Sequence, residues 1–211
     1  MKLAHISTLA ILSLTILSSS FQANSVFAQE KHEHAPGHDA DAMKKAELKI
    51  SGSLKSLSPE DQKLASAQRF CPMMAYSRLG AMGAPIKLTI AGKPVFVCCD
   101  SCREDAIKGG DATVKTTQKL IESTAVLAKL PMEERMAAEA QKYCAVANGS
   151  FLGSMGAPIK LTLDGKPVYL CCGGCTKKAQ ENPAATLTKV AELISAGKKD
   201  GHEHDHAEHK K

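Results

Sequence analysis

The sequence predicts an α+β protein made of two tandem small modules, each a helix, a cysteine turn, a β-hairpin and a second helix, set between polar, disordered tails. Three observations predict it. The chain repeats itself at an offset of 73 residues, both copies keep four cysteines at one spacing, and the pattern inside each copy passes from helical to hairpin and back. Met82 to Thr89 recurs intact as Met155 to Thr162, Gly92–Val95 recurs as Gly165–Val168, and Ala67-Gln68-Arg69-Phe70 matches Ala140-Gln141-Lys142-Tyr143.

Residues 1–28 have the anatomy of a secretory signal peptide: Lys2, an apolar run from Leu3 to Leu17, and Val26-Phe27-Ala28 before Gln29. That run is shorter than the ~20 residues of a spanning helix, and no cysteine lies nearby for a lipid, so no stable membrane anchor is expected. The expected location is the periplasm or the outside of the cell. A His-containing flexible segment is expected over 29–57, a first module over 58–130, a second over 131–196, and a His-rich flexible tail over 197–211.

Ser58-Pro59-Glu60-Asp61 reads as a helix start, with an N-cap serine, proline in the first turn and acids at the positive end of the dipole. The helix should run to about Phe70, and Pro131 to Tyr143 should do the same in the second copy. Lys87–Ile90 and Pro94–Cys98 read as strands around a turn at Ala91-Gly92-Lys93, and Asp164-Gly165 is the stronger hairpin signal. A helix should start near Cys102 or Cys175. Gly109-Gly110 and Asn182-Pro183 should interrupt it before amphipathic helices over Ala112–Lys129 and Ala184–Ala196.

The chain has no Trp and 4% aromatic residues, so modules of this size need a disulfide or metal staple. The net charge of +5 is spread over lysines interleaved with acids. No basic stripe with stacking aromatics points to nucleic acid, and no catalytic constellation is present, so an enzyme is not expected.

The candidate ligands are Cys71, Cys98, Cys99 and Cys102, repeated as Cys144, Cys171, Cys172 and Cys175. Where a strand ends at a helix start, the helix N-terminus favours thiolates, the form that binds metal. Neighbours on a strand face opposite ways, so Cys98 or Cys99 faces the site, and the spacing does not choose between them. Four thiolates suit zinc in a tetrahedron; three suit copper(I) in a triangle. Met82 and Met155, at matching positions, are candidate thioether ligands, whereas Met73 and Met74 have no methionine counterparts. His32, His34 and His38, with His202, His204, His206 and His209, alternate with acids as loose chelators.

Two other readings stand beside metal binding. A disulfide-stapled interaction module fits eight cysteines in an oxidising compartment, and Cys99-x-x-Cys102 with Cys172-x-x-Cys175 admits a thiol–disulfide oxidoreductase.

The segments from Cys71 through Gly92-Lys-Pro-Val-Phe-Val-Cys98-Cys-Asp-Ser-Cys102, and from Cys144 through Gly165-Lys-Pro-Val-Tyr-Leu-Cys171-Cys-Gly-Gly-Cys175, resemble TRASH and YHS-type domains. These are treble-clef-like metal-binding modules of bacterial metal sensing, trafficking and efflux proteins. The tandem form resembles that of secreted proteins from planctomycete-type bacteria. The resemblance covers about Ser58 to Ala196. It implies Cys71, Cys98 and Cys102, and Cys144, Cys171 and Cys175, as metal ligands; zinc or copper(I) is the expected ion, and an envelope metal-efflux or delivery protein the expected partner. Two departures leave the ligand number open: the interval after the first cysteine is longer than usual, and the cysteine that often follows it closely is missing.

Overall fold

A computed structural model of the chain describes residues 37–200, with side chains from 43 to 199. It is mixed α+β: helices α1 (Gly37–Leu54) and α2 (Pro59–Gln68), strands β1 (Ile86–Ile90) and β2 (Lys93–Val97), helices α3 (Ser101–Leu127) and α4 (Met132–Gln141), strands β3 (Ile159–Leu163) and β4 (Lys166–Leu170), a 3-10 turn over Gly173–Cys175, and helices α5 (Thr176–Glu181) and α6 (Pro183–Asp200). Among the described residues no helix is long and apolar enough to cross a membrane.

Local sequence accounts for most of these elements. The Ser58 hydroxyl accepts from the Asp61 N–H at 3.2 Å and caps α2, with Pro59 in its first turn. Each sheet is one antiparallel hairpin, Ile86 facing Val97 and Ile159 facing Leu170. The loops are two residues long, because Ile90 pairs with Lys93 and Leu163 with Lys166. Ala91-Gly92 and Asp164-Gly165 all have positive φ, as a type I′ turn requires. Gly110, at φ 48° and ψ −123°, breaks α3 where the glycine pair predicts an interruption.

Residues 37–54 depart from expectation. They were to be a flexible segment, yet they form α1, whose Ile50 is buried, and α6 likewise extends beyond Ala196 to Asp200. The reason is a backbone approach that the polar sequence of α1 does not advertise. Gly80 has φ +93°, and a Cβ there would lie 3.0 Å from the Ile50 carbonyl oxygen. Gly153 has φ +90° and stands in the same relation to the Ser123 carbonyl of α3. Only glycine admits both that conformation and that approach.

Ile50 and Ser123 are 73 residues apart, as are the helices 37–54, 110–127 and 183–200. The structural repeat therefore begins upstream of the expected boundary at 58. Each unit opens with a long helix, and α6 supplies a third copy of that helix at the end. The second half of α3 serves both modules: Val114 packs on the first core, Leu127 belongs to the second, and Leu120 joins Phe70 and Phe151 between them.

The chain turns sharply after α2 and α4. Arg69 (φ 64°, ψ −39°) and Lys142 (φ 63°, ψ −51°) sit at the centre of γ-turns in which Phe70 N–H donates to Gln68 O and Tyr143 N–H to Gln141 O, each at 2.7 Å. Such turns are strained for non-glycine residues. The buried amide of Gln68 holds this one. It donates to Phe70 O at 3.0 Å and Phe96 O at 2.6 Å, and accepts from Phe96 N–H at 2.9 Å. Gln141 makes the same set with Tyr143 and Tyr169 at 2.9, 2.6 and 2.9 Å.

Between the modules Arg69 grips Glu139, its Nε 2.9 Å and its Nη2 3.0 Å from the two carboxylate oxygens. Tyr143 stacks on Phe151 at 4.8 Å. Lys142 is buried with its Nζ 2.9 Å from the Phe70 ring centre. Burial pulls its pKa well below the ordinary 10.5; nearby Glu139 opposes that shift, and Arg69 and Arg78 add to it.

Two stability changes follow. Gln68→Leu strands three buried backbone groups and lowers the urea unfolding free energy by about 3 kcal/mol. A loss under 1 kcal/mol contradicts the clasp. Lys142→Met removes a cation that folding desolvates and raises stability by about 1 kcal/mol at neutral pH. Because the folded pKa is depressed, the native chain is most stable above the unfolded pKa and loses stability as pH falls toward the folded one. The gain from Lys142→Met therefore grows as pH is lowered, and denaturation curves at several pH values read it directly.

Candidate metal centre

The γ-turn and the hairpin together assemble the sulfurs. After Phe70 the chain enters a tight loop closed by Cys71 N–H donating to Ser77 O at 3.0 Å and Leu79 N–H to Arg69 O at 3.0 Å. Cys144–Ser150 and Leu152–Lys142 repeat these bonds at 2.9 and 3.0 Å. Cys98 follows β2 directly, and Cys102 lies in the first turn of α3, its N–H donating to Cys99 O at 3.3 Å. In the second copy β4 delivers Cys171, and the 3-10 turn before α5 delivers Cys175.

Cys71, Cys98 and Cys102 are all buried, and their sulfurs lie within 4.8 Å of one another; Cys144, Cys171 and Cys175 do the same. Each group can hold a metal ion. Cys98 and Cys102 are 3.8 Å apart, as are Cys171 and Cys175. An ion bonded to sulfur at about 2.3 Å sets its ligands about 3.8 Å apart in a tetrahedron and about 4.0 Å apart in a triangle. All eight cysteines are free thiols in the structure.

Cys98 and Cys171 are the members of the adjacent pairs that share a mutual group with Cys71 and Cys144, and they form C-x3-C pairs with Cys102 and Cys175. Cys99 and Cys172 are half-buried and stand outside the two mutual groups. Cys99 still touches Cys98 at 3.8 Å, Cys102 at 3.7 Å and the Ser101 hydroxyl at 3.2 Å; Cys172 is 4.0 Å from Cys171. Met82 and Met155 are exposed. The thioether that reaches a cluster is Met74, whose Sδ lies 4.0 Å from Cys98 Sγ. Its place in the second copy is taken by Ala147, and the missing counterpart is why spacing alone did not single it out.

His32, His34, His202, His204, His206 and His209 lie outside the described residues, and His38 falls in α1 where side chains are not described.

Burial divides the charge among the sulfurs. The Cys98 thiol donating to Cys71 lowers the Cys71 pKa to about 6; burial opposes this, and the N–H groups of Cys98, Met73 and Met74 assist it. Cys98 is raised by that same bond, by burial and by the Cys71 charge. Cys102 is pushed up to about 12, by burial first and then by Cys71. In the second copy burial works against Cys144, but the N–H groups of Ala147, Cys171 and Val146 outweigh it and the pKa is lowered. Cys171 is raised by burial and by Cys144, and Cys175 is pushed up to about 11 by the same two causes. A helix start was expected to favour thiolates at Cys102 and Cys175. Without a cation it does not, because three crowded sulfurs in an apolar core cannot all carry charge.

Cys99 and Cys172 differ. Burial raises Cys99, but the Ser101 hydroxyl and Cys102 N–H leave it lowered, and the Gly174 N–H lowers Cys172. In reduced, metal-free protein near pH 7, iodoacetamide should therefore label Cys99 and Cys172 before the six buried cysteines, as read by peptide mass spectrometry. Earlier labelling of Cys98 or Cys171 contradicts this packing. Comparison with known proteins supplies no relative: no protein-family model, curated protein or solved structure matches the chain.

Proposed function

We propose that the chain is a periplasmic or secreted metal-binding protein that stores, buffers or delivers zinc or copper(I) through its two thiolate centres, without catalysis of its own. The observation that carries this reading is the convergence of three buried cysteines at metal-ligand separation, twice, on the same scaffold. Burying three thiols together is unfavourable in their ionised form, and a cation at their centre removes that penalty. The tight loop at the first cysteine, the hairpin and the helix that follows agree with the treble-clef layout of TRASH and YHS-type domains. On this reading the leader at 1–28 sends the chain to the envelope. The terminal histidines gather metal loosely, since ordering a polar segment costs entropy, and an envelope efflux or delivery protein receives it.

The test is metal content and free thiols on chain purified without chelator or affinity metal. About two zinc or copper ions per chain are expected, with thiols reactive only after chelation. Cys98→Ser removes one ion and Cys171→Ser the other; together they leave none. Metal that survives both substitutions belongs to the histidines. Protein with neither metal nor titratable thiols is a disulfide scaffold, and the metal reading fails.

A further inference from the structure

The loops that enter the two clusters place different residues against the sulfurs, Met74 in the first and Ala147 in the second. The backbone N–H of Met74 points at the Cys71 sulfur, and its own sulfur lies 4.0 Å from Cys98. Met74 thus touches one of the three thiol ligands through its sulfur, and its backbone N–H faces a second. Its carbonyl is tied by the Ser77 N–H at 2.8 Å, and its side chain packs half-buried on the first core. Cys99 contacts the Cys98 and Cys102 side of the cluster yet stands outside the group that includes Cys71.

In the second copy Ala147 keeps the backbone role, donating to Cys144 at 3.4 Å, and has no sulfur to offer. Among the described residues no methionine packs on the core around the second cluster. The loop hydrogen bonds are the same on both sides, so the difference between Met74 and Ala147 falls on the sulfurs.

The geometry points to Met74 as a thioether ligand of the first centre, which gives that centre one soft sulfur for copper(I) that the second lacks, so that the second exchanges the ion first. This rests on the reading that the thiol clusters hold metal. A thioether is neutral and soft, so it suits a monovalent soft ion better than zinc. It also blocks a position from which a competing ligand would attack. The second centre, with Ala147 in place of Met74, has no thioether there, which favours transfer to another protein. The ion stays copper(I) throughout, and no electron moves.

The test uses the full chain loaded anaerobically with copper(I), then challenged with excess chromophoric copper(I) chelator, which also strips the histidines. Release in two phases is expected, with rates differing by about tenfold or more. Met74→Leu keeps the side-chain volume and should abolish the slow phase; Ala147→Met should slow the fast one. X-ray absorption on the Cys171→Ser/Cys175→Ser chain, which holds only the first centre, should count one sulfur more than the same chain carrying Met74→Leu. Two bound ions released at one rate, with Met74→Leu changing neither rate nor sulfur count, overturn the inference and leave the metal reading intact. A chain that binds no copper(I) or zinc at either cluster overturns both.

Discussion

Gln68 and Gln141 each close three hydrogen bonds inside a core that water does not reach. Each amide joins two stretches that the site needs at a fixed distance: the strained turn leading into the first cysteine, and the strand leading into the second. A γ-turn with positive φ at Arg69 or Lys142 is not a conformation that a free chain prefers. It persists because releasing it would leave backbone groups of Phe70 and Phe96, or of Tyr143 and Tyr169, unpaired in an apolar interior. The separation of the sulfurs is thus set from the neighbouring core, before any ligand enters. A centre held this way loses less entropy on binding than one assembled from loops.

That preorganisation has an electrostatic cost, visible in how unevenly the protons are shared. Cys71 is lowered because Cys98 keeps its proton and donates it. Cys102 and Cys175 are held protonated by burial and by the first cysteine of their own cluster. Hydrophobic packing around Val95, Phe96 and Val97, and around Val168, Tyr169 and Leu170, excludes the water that would otherwise relieve the crowding. A divalent or monovalent cation placed among the sulfurs inverts this logic, since its charge favours the deprotonated form of every ligand at once. The same packing that penalises the empty cluster would then shield the filled one.

Much of this was legible from residues alone. The α+β class, both hairpins, the cap at Ser58 and the break at Gly109-Gly110 each rest on local chemistry that tertiary contacts do not override. Helix α1 was not legible, because its sequence is polar and its partner is a glycine backbone at Gly80. The role of Gln68 left a trace, since Gln141 occupies the matching position, but a glutamine at the end of a helix reads as surface until the turn beyond it is known. The choice between Cys98 and Cys99 depended on where β2 stops, and strand ends are what local pattern specifies least. Met74 was passed over because the repeat itself was the guide, and the repeat has Ala147 there.

The two copies show which positions answer to the fold and which to the surroundings. Glu47 and Arg78 pair at a solvent-open cleft shared with residues of the second module. Their counterparts 73 residues on are Leu120 and Phe151, which pack together in the seam between modules. One geometric slot is ionic where it faces water and apolar where the second half of α3 covers it, as desolvation cost requires. Gly80 and Gly153, Gln68 and Gln141, and the three buried cysteines of each cluster do not vary between copies, since each answers to a backbone or ligand constraint that no neighbour can relieve. The exchange of Met74 for Ala147 belongs to neither class. It is not in the seam, it leaves the loop hydrogen bonds in place, and it lies against the sulfurs. A difference at that point is one the fold does not demand, and its physical consequence falls on what the sulfurs hold.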